Sequence, residues 1–182
     1  MNMNYMKVLK ENHAIKTLIK SSLIAIVLLT MAVSSKAQEQ LIFPFQGGAA
    51  IMNRFFTDSL TISPDIIQKR ATGTAIFKFT ADLNGKVTKI IIYYADDYIL
   101  TTPLIDALKR SSKQWVIPDN EKQHDFIIPF SINFNPPTTG GAEAAQQAYK
   151  FYKQRHPILS TNQIPIATAT LLPTVVINYD LK

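Results

Sequence analysis

The side chains that could do chemistry are few and scattered. Of the three histidines, His13 lies in the basic start of the chain. His124 and His156 have no second histidine or acid at metal-ligand spacing, and both read as solvated loop residues. Asp96 and Asp97 are adjacent, so at a strand end their carboxylates point apart and cannot share a proton or an ion; they read as a turn. Asp82-Leu83-Asn84-Gly85 has the letters that open a calcium loop, but its glycine comes two positions early and no Glu holds the twelfth place. His124, Asp125 and Ser131 supply the letters of a proton-relay triad, yet neighbours on an alternating strand diverge. Gly47-Gly48 and Gly140-Gly141 lack the Lys-Ser/Thr or third Gly of a phosphate loop. Cysteine is absent. The sequence therefore names no catalytic residue, no metal ligand, no cofactor and no small-molecule substrate. It reads as a binding protein and not an enzyme.

The elements that would position a binding surface are clearer. Ala49 to Leu60 carries Ile51, Met52, Phe55 and Phe56 at helical spacing. Ser63-Pro64-Asp65 starts a short helix reaching about Arg70. Ala75, Phe77, Phe79 and Ala81 alternate along a strand that ends in Asp82-Leu83-Asn84-Gly85, which predicts a two-residue hairpin turn. Lys86 to Ala95 returns, and its apolar spacing predicts a bulge near Thr88-Lys89. Thr102-Pro103 opens a helix from Leu104 to about Ser112, and Trp115-Val116-Ile117-Pro118 leaves it. Asp119 to His124 reads as a polar loop. Asp125 to Phe134 follows with Phe126, Ile128, Phe130, Ile132 and Phe134 on one face; Pro129 on the other face predicts an edge strand. Asn135 to Gly141 is a linker and Ala142 to Gln154 a helix. The end of the chain reads as strand-like.

The first 37 residues read as a cleavable export signal. Lys7, Lys10, Lys16 and Lys20 precede an apolar run from Ser21 to Val33, and Ser35-Lys36-Ala37 places small residues before a cut between Ala37 and Gln38. The run is about 13 residues, short of the ~20 that span a bilayer. No Cys stands at the cut to take a lipid. Removing five Lys and one Glu from the 19 basic and 13 acidic residues leaves 14 and 12, a net charge of +2. The basic balance thus belongs largely to the signal, and no basic cluster remains to suggest a nucleic-acid partner. The expected organisation is a signal over 1–37, one domain over 38–135, and a linker, short helix and strand-like tail over 136–182.

The ordered set of Phe45 and Gly47-Gly48, Ser63-Pro64, Gly73 to Phe79, Asn84-Gly85-Lys86-Val87-Thr88, Leu104 to Leu108, Trp115 to Pro118, and Ile128 to Phe134 resembles the carboxy-terminal domain of TonB-type energy transducers of the Bacteroidetes form. The resemblance covers about residues 43–135. It implies an α+β fold: a small antiparallel three-stranded sheet with helices on one face. It also implies that the last strand takes up an extended segment of an outer-membrane receptor by strand addition. On that basis the partner-facing residues are Ile127, Pro129, Ser131 and Asn133. About five residues lie between Ala37 and Phe43, too few at ~3.5 Å each to cross a periplasm. The leading expectation is therefore an exported, periplasmic or secreted protein-binding module. The alternative is a genuine energy-transduction component with the apolar run kept as an inner-membrane anchor.

The tail raises a separate expectation. A β-branched run from Thr174 to Tyr179 left free would invite aggregation. Val175, Ile177 and Tyr179 are expected either to add a strand to the edge of Asp125–Phe134, in cis or across a swapped homodimer, or to remain a disordered tail. If export proceeds as read, intact-mass analysis of protein recovered from a periplasm will show a chain starting at Gln38. Retention of Leu23 in the mature product would contradict it and favour the anchored alternative.

Overall fold

Alternating apolar residues build the sheet, and the computed structural model describes residues 43–135, 137–160 and 168–181 of the chain. All belong to one compact unit, Ile42–Lys182. Helix α1 spans Gly48–Ser59 and α2 Pro64–Lys69. Strands β1 (Gly73–Asp82) and β2 (Val87–Ala95) follow, then α3 (Thr101–Arg110) and β3 (Gln123–Phe134). Helix α4 (Gly141–Gln154) precedes the short strands β4 (Ile158–Leu159), β5 (Thr170–Leu171) and β6 (Val175–Tyr179). Among the described residues no helix is long and apolar enough to cross a membrane. The Ser21–Val33 run and the Ala37–Gln38 boundary lie outside the described residues.

The antiparallel heart is β2-β1-β3, with Phe77 opposite Ile128 and Phe79 opposite Phe126. Between β1 and β2 the register shifts twice. Thr80 pairs Lys89 while Ala81 pairs Val87, so Thr88 is the extra residue of the expected bulge. The hairpin turn differs from expectation. Gly85 N–H donates to the Asp82 carbonyl at 2.8 Å and Asp82 N–H to the Lys86 carbonyl at 3.0 Å, which encloses three residues rather than two. Gly85 alone turns left-handed, at φ 67°, so this is a type I turn closed by a glycine bulge. Space explains the glycine as well: a Cβ there would run into the Trp115 carbonyl oxygen.

Helix starts follow local chemistry. Ser63 Oγ accepts from Ile66 N–H, with Pro64 at the first helical position. Ahead of α3 the cap is Asp97, not Thr102: its carboxylate accepts from Ile99 N–H and opens a 3-10 turn over Tyr98–Leu100 that runs into the helix. Met52 and Phe56 of α1, Ile66 of α2, and Leu104, Ala107 and Leu108 of α3 join one core with the inner face of the sheet. Trp115 sits at its centre. Its ring centroid lies 4.5 Å from Phe79, 5.0 Å from Phe45 and 5.3 Å from Phe126, and its indole N–H donates to Ser111 Oγ at 2.9 Å.

The sheet is larger than three antiparallel strands. It has six, in the order β4-β2-β1-β3-β5, with β6 also on β3, and it is mixed because β5 and β6 run parallel to β3. The class is α+β as expected; the three-stranded antiparallel sheet is not the whole of it. The segments read as a linker-bound tail contribute three strands to that sheet.

Substitutions should separate these causes. Truncating Phe130, fully buried against Phe56 and Phe77, should cost ~3–5 kcal/mol. Gly85→Ala should lose more than about 2 kcal/mol, because strain at positive φ adds to a backbone clash. Gly141→Ala, with nothing within 4 Å of its would-be Cβ, should be neutral or stabilising. Equal effects of the two glycine changes in urea titrations would show the Gly85 account wrong.

Candidate protein-binding edge

The four residues expected to face a partner sit on β3, along the edge turned away from β1. That edge is occupied by the chain's own end. Ile127 pairs with Leu171, Ser131 with Val176 and Asn133 with Asn178, all in parallel register. Leu172 N–H donates to the Ile127 carbonyl at 2.8 Å, and Asn135 N–H to the Tyr179 carbonyl at 2.8 Å. So β3 is an inner strand, not the edge strand that Pro129 suggested. The proline is tolerated because it falls between the two pairings: β5 ends opposite Ile127 and β6 begins opposite Phe130.

The tail is held by side chains as well as backbone. Val175, Ile177 and Tyr179 turn into the core while Val176 and Asn178 turn out, as period-two alternation requires. Leu172 is buried beside them, and α1 lies against β6. Tyr179 carries its hydroxyl to the end of α2, where it donates to the Ala71 carbonyl at 2.9 Å, with the Ile66 carbonyl at 3.3 Å. Burial pushes the phenol up to about 12. Asn135 Nδ2 donates to Asp180 Oδ1 at 2.7 Å, just past that ring.

The other end of the tail has a clasp. His124 is buried, at 9 % exposure, as the second residue of β3, so it is no solvated loop residue. Its Nδ1 lies 2.7 Å from Glu121 Oε2 and its Nε2 2.7 Å from Thr170 Oγ1, while its ring packs on Phe126. Carboxylate, imidazole and hydroxyl in that order form a proton relay in hydrolases. Here the hydroxyl belongs to β5, whose backbone pairs with Phe126 and Ile127, and the relay fastens β5 to the start of β3. Asp125 points to the opposite face, where it meets Lys78 Nζ at 2.7 Å and accepts from Thr80 Oγ1 at 2.6 Å. Burial opposes its charge, but the Lys78 and Thr80 hydrogen bonds outweigh that and hold the carboxyl below its ordinary value. His124, Asp125 and Ser131 are not brought together. Asp96 and Asp97 have separate partners: Asp96 accepts from Thr74 N–H, Tyr94 hydroxyl and Arg155, and Asp97 caps the 3-10 turn and accepts from His156 N–H.

Sequence reasoning missed Glu121, Thr170, Ala71 and Asp180 as parts of this edge. The i, i+3 spacing of Glu121 and His124 was a usable signal. The reach of Thr170 and of the Ala71 carbonyl, distant in sequence, was not. Among the described residues no group of three or more His, Asp or Glu could hold a metal ion. The concavity seen on α4, lined by Glu143, Gln146, Gln147 and Lys150, is a shallow surface dip. No family model, curated protein or solved structure matches this chain.

The Tyr179 anchor has a pH signature. A phenol whose folded value is raised stabilises the fold fully below its unfolded value near 10, and that contribution is lost as pH rises from about 10 through 12. Tyr179→Phe should cost ~1 kcal/mol at pH 7 for the lost hydrogen bond. Between pH 10 and 12 the wild type should lose on the order of 2–3 kcal/mol that the phenylalanine variant keeps. Parallel stability–pH curves for the two proteins would contradict the anchor.

Proposed function

We propose that this chain is an exported protein-binding module, related to TonB-type carboxy-terminal domains, that engages an extended peptide by strand addition on β3. The peptide lies along Ile127, Pro129, Ser131 and Asn133, and a segment of an outer-membrane receptor is the partner class in view. The observation that carries the reading is the geometry of that edge: a strand from outside the antiparallel heart already lies on it, in parallel register over five residues. The edge therefore accepts an extended segment, with main-chain bonds for affinity and inward pockets for specificity.

The tail must leave for a partner to bind, and the gains and costs of holding it are of similar size. Burying Leu172, Val175, Ile177 and Tyr179 gains ~6–12 kcal/mol, at roughly 1.5–3 kcal/mol each. Fixing the eight residues Leu172–Tyr179 costs ~8–16 kcal/mol of backbone entropy. Ladder hydrogen bonds at about 0.5–1.5 kcal/mol apiece then decide the balance. A segment joined to its own groove also competes at high effective concentration. The tail acts as a built-in competitor that keeps the edge covered until a better-fitting or locally concentrated segment arrives.

A photocrosslinking residue at Asn133 tests this in cells. In the wild type it should crosslink to the chain's own tail. With Val175 and Ile177 both changed to Asp, and the fold verified by circular dichroism, the crosslink should move to an extended segment of an envelope protein. Crosslinks confined to the chain itself in both cases would overturn the proposal.

A further inference from the structure

The tail lying on β3 shows which side chains fit beside that strand. Along one direction the inward positions are Leu172, Val175, Ile177 and Tyr179, each at 5 % exposure or less. The neighbouring Val176 and Asn178 face out and are read only through their backbone. The far end is chemically distinct from the rest. The Tyr179 hydroxyl meets two carbonyls at the end of α2, its ring stands 6.2 Å from Phe134, and the next residue, Asp180, accepts from the Asn135 amide. The Ala71 carbonyl that receives the phenol closes no helical turn, since α2 ends at Lys69 and Arg70 takes the left-handed cap. An O–H donor there meets a need a phenyl ring would leave unfilled.

We propose that the groove is specific for peptides of the form Leu-x-x-Val-x-Ile-x-Tyr-Asp. They bind parallel to β3, with aliphatic residues at alternating positions and a phenol followed by a carboxylate at the carboxy-terminal end. This rests on the strand-addition reading above and adds its ligand class. Direction is part of the specificity, because only a parallel segment brings the phenol to the Ala71 and Ile66 carbonyls and the carboxylate to Asn135. The partner is a protein carrying such a segment in an unpaired stretch. Among segments that already carry aliphatic residues at the inward positions, discrimination comes chiefly from the last two positions, since alternating aliphatic residues suit many sheet edges.

The test uses the full chain with a protease site inserted in segment 161–167 and cut, so that the tail remains only by its own contacts. A fluorescent peptide with the sequence of residues 170–181 should exchange into the cut protein and be competed by its unlabelled form. An Ile177→Asp peptide should compete at least about a hundredfold less well, because a charge enters the core. A Tyr179→Phe peptide should lose about three- to tenfold, the worth of one hydrogen bond. A peptide of reversed sequence should fail. If insertion or cutting prevents folding, the same peptides are titrated against the uncut Val175→Asp, Ile177→Asp protein. Equal competition by the wild-type, phenylalanine and reversed peptides would overturn the specificity and leave strand addition standing. Competition by none of them, with the fold intact, would overturn both.

Discussion

A β-strand packed on its inner face and paired on one side still carries a row of N–H and C=O groups on the other, and these must find partners. In this protein that strand is β3. Its inner face is buried and apolar from Phe126 to Ile132, and β1 satisfies one of its edges. The remaining edge governs the arrangement of the whole carboxy-terminal part. A parallel partner must come from a crossover, so the chain leaves β3, makes α4, touches β2 through β4, and returns as β5 and β6. Pro129 divides the edge into two stretches, and the tail follows that division with two short strands instead of one.

The core makes this edge a groove and not a flat border. Phe56 of α1 stacks edge-on to Phe130 at 5.2 Å, which places α1 over the inner side of β6. Ile66 and Ala71, both fully buried, set the end of α2 where the Tyr179 hydroxyl arrives. On the outer face, the Lys78–Asp125 pair with Thr80 ties β1 to β3 across their shared register. A strand fixed by one neighbour can exchange the other, and strand addition as a binding mode depends on that.

Much of this was legible in the residues. Period-two spacing located β1 and β3 and their buried faces, the broken spacing of Val87, Ile90 and Ile92 located the Thr88 bulge, and Ser63-Pro64 located α2. The β-branched alternation of Val175, Ile177 and Tyr179 called for an edge to cover, and β3 is the edge that it covers. The misses have physical causes. Pro129 implied an edge strand because a sequence shows a missing donor but not that the neighbouring strand is interrupted at the same place. The Asn-Gly pair implied a two-residue turn, whereas the approach of the Trp115 backbone to Gly85 is a tertiary fact. His124 looked solvated because Thr170, which closes its second ring nitrogen, arrives only after the tail has crossed the domain; Glu121, three residues away, was the local signal of a partner. The expected three-stranded sheet left out strands as short as two residues, which carry too little periodicity to be read.

On the proposed reading, β3 has a fixed edge and an exchangeable edge, the second covered by the tail. Native-state hydrogen exchange measures both in one molecule. Amides of β6 and the β3 amides facing them should open together, at a free energy clearly below that of global unfolding, while amides linking β1 to β3 and β1 to β2 should open only globally. Exchange of all these amides at the single global free energy would contradict the account, because the tail would then be a permanent strand of the core. Unprotected β6 amides would contradict it from the other side, because β3 would then have no cover to lose.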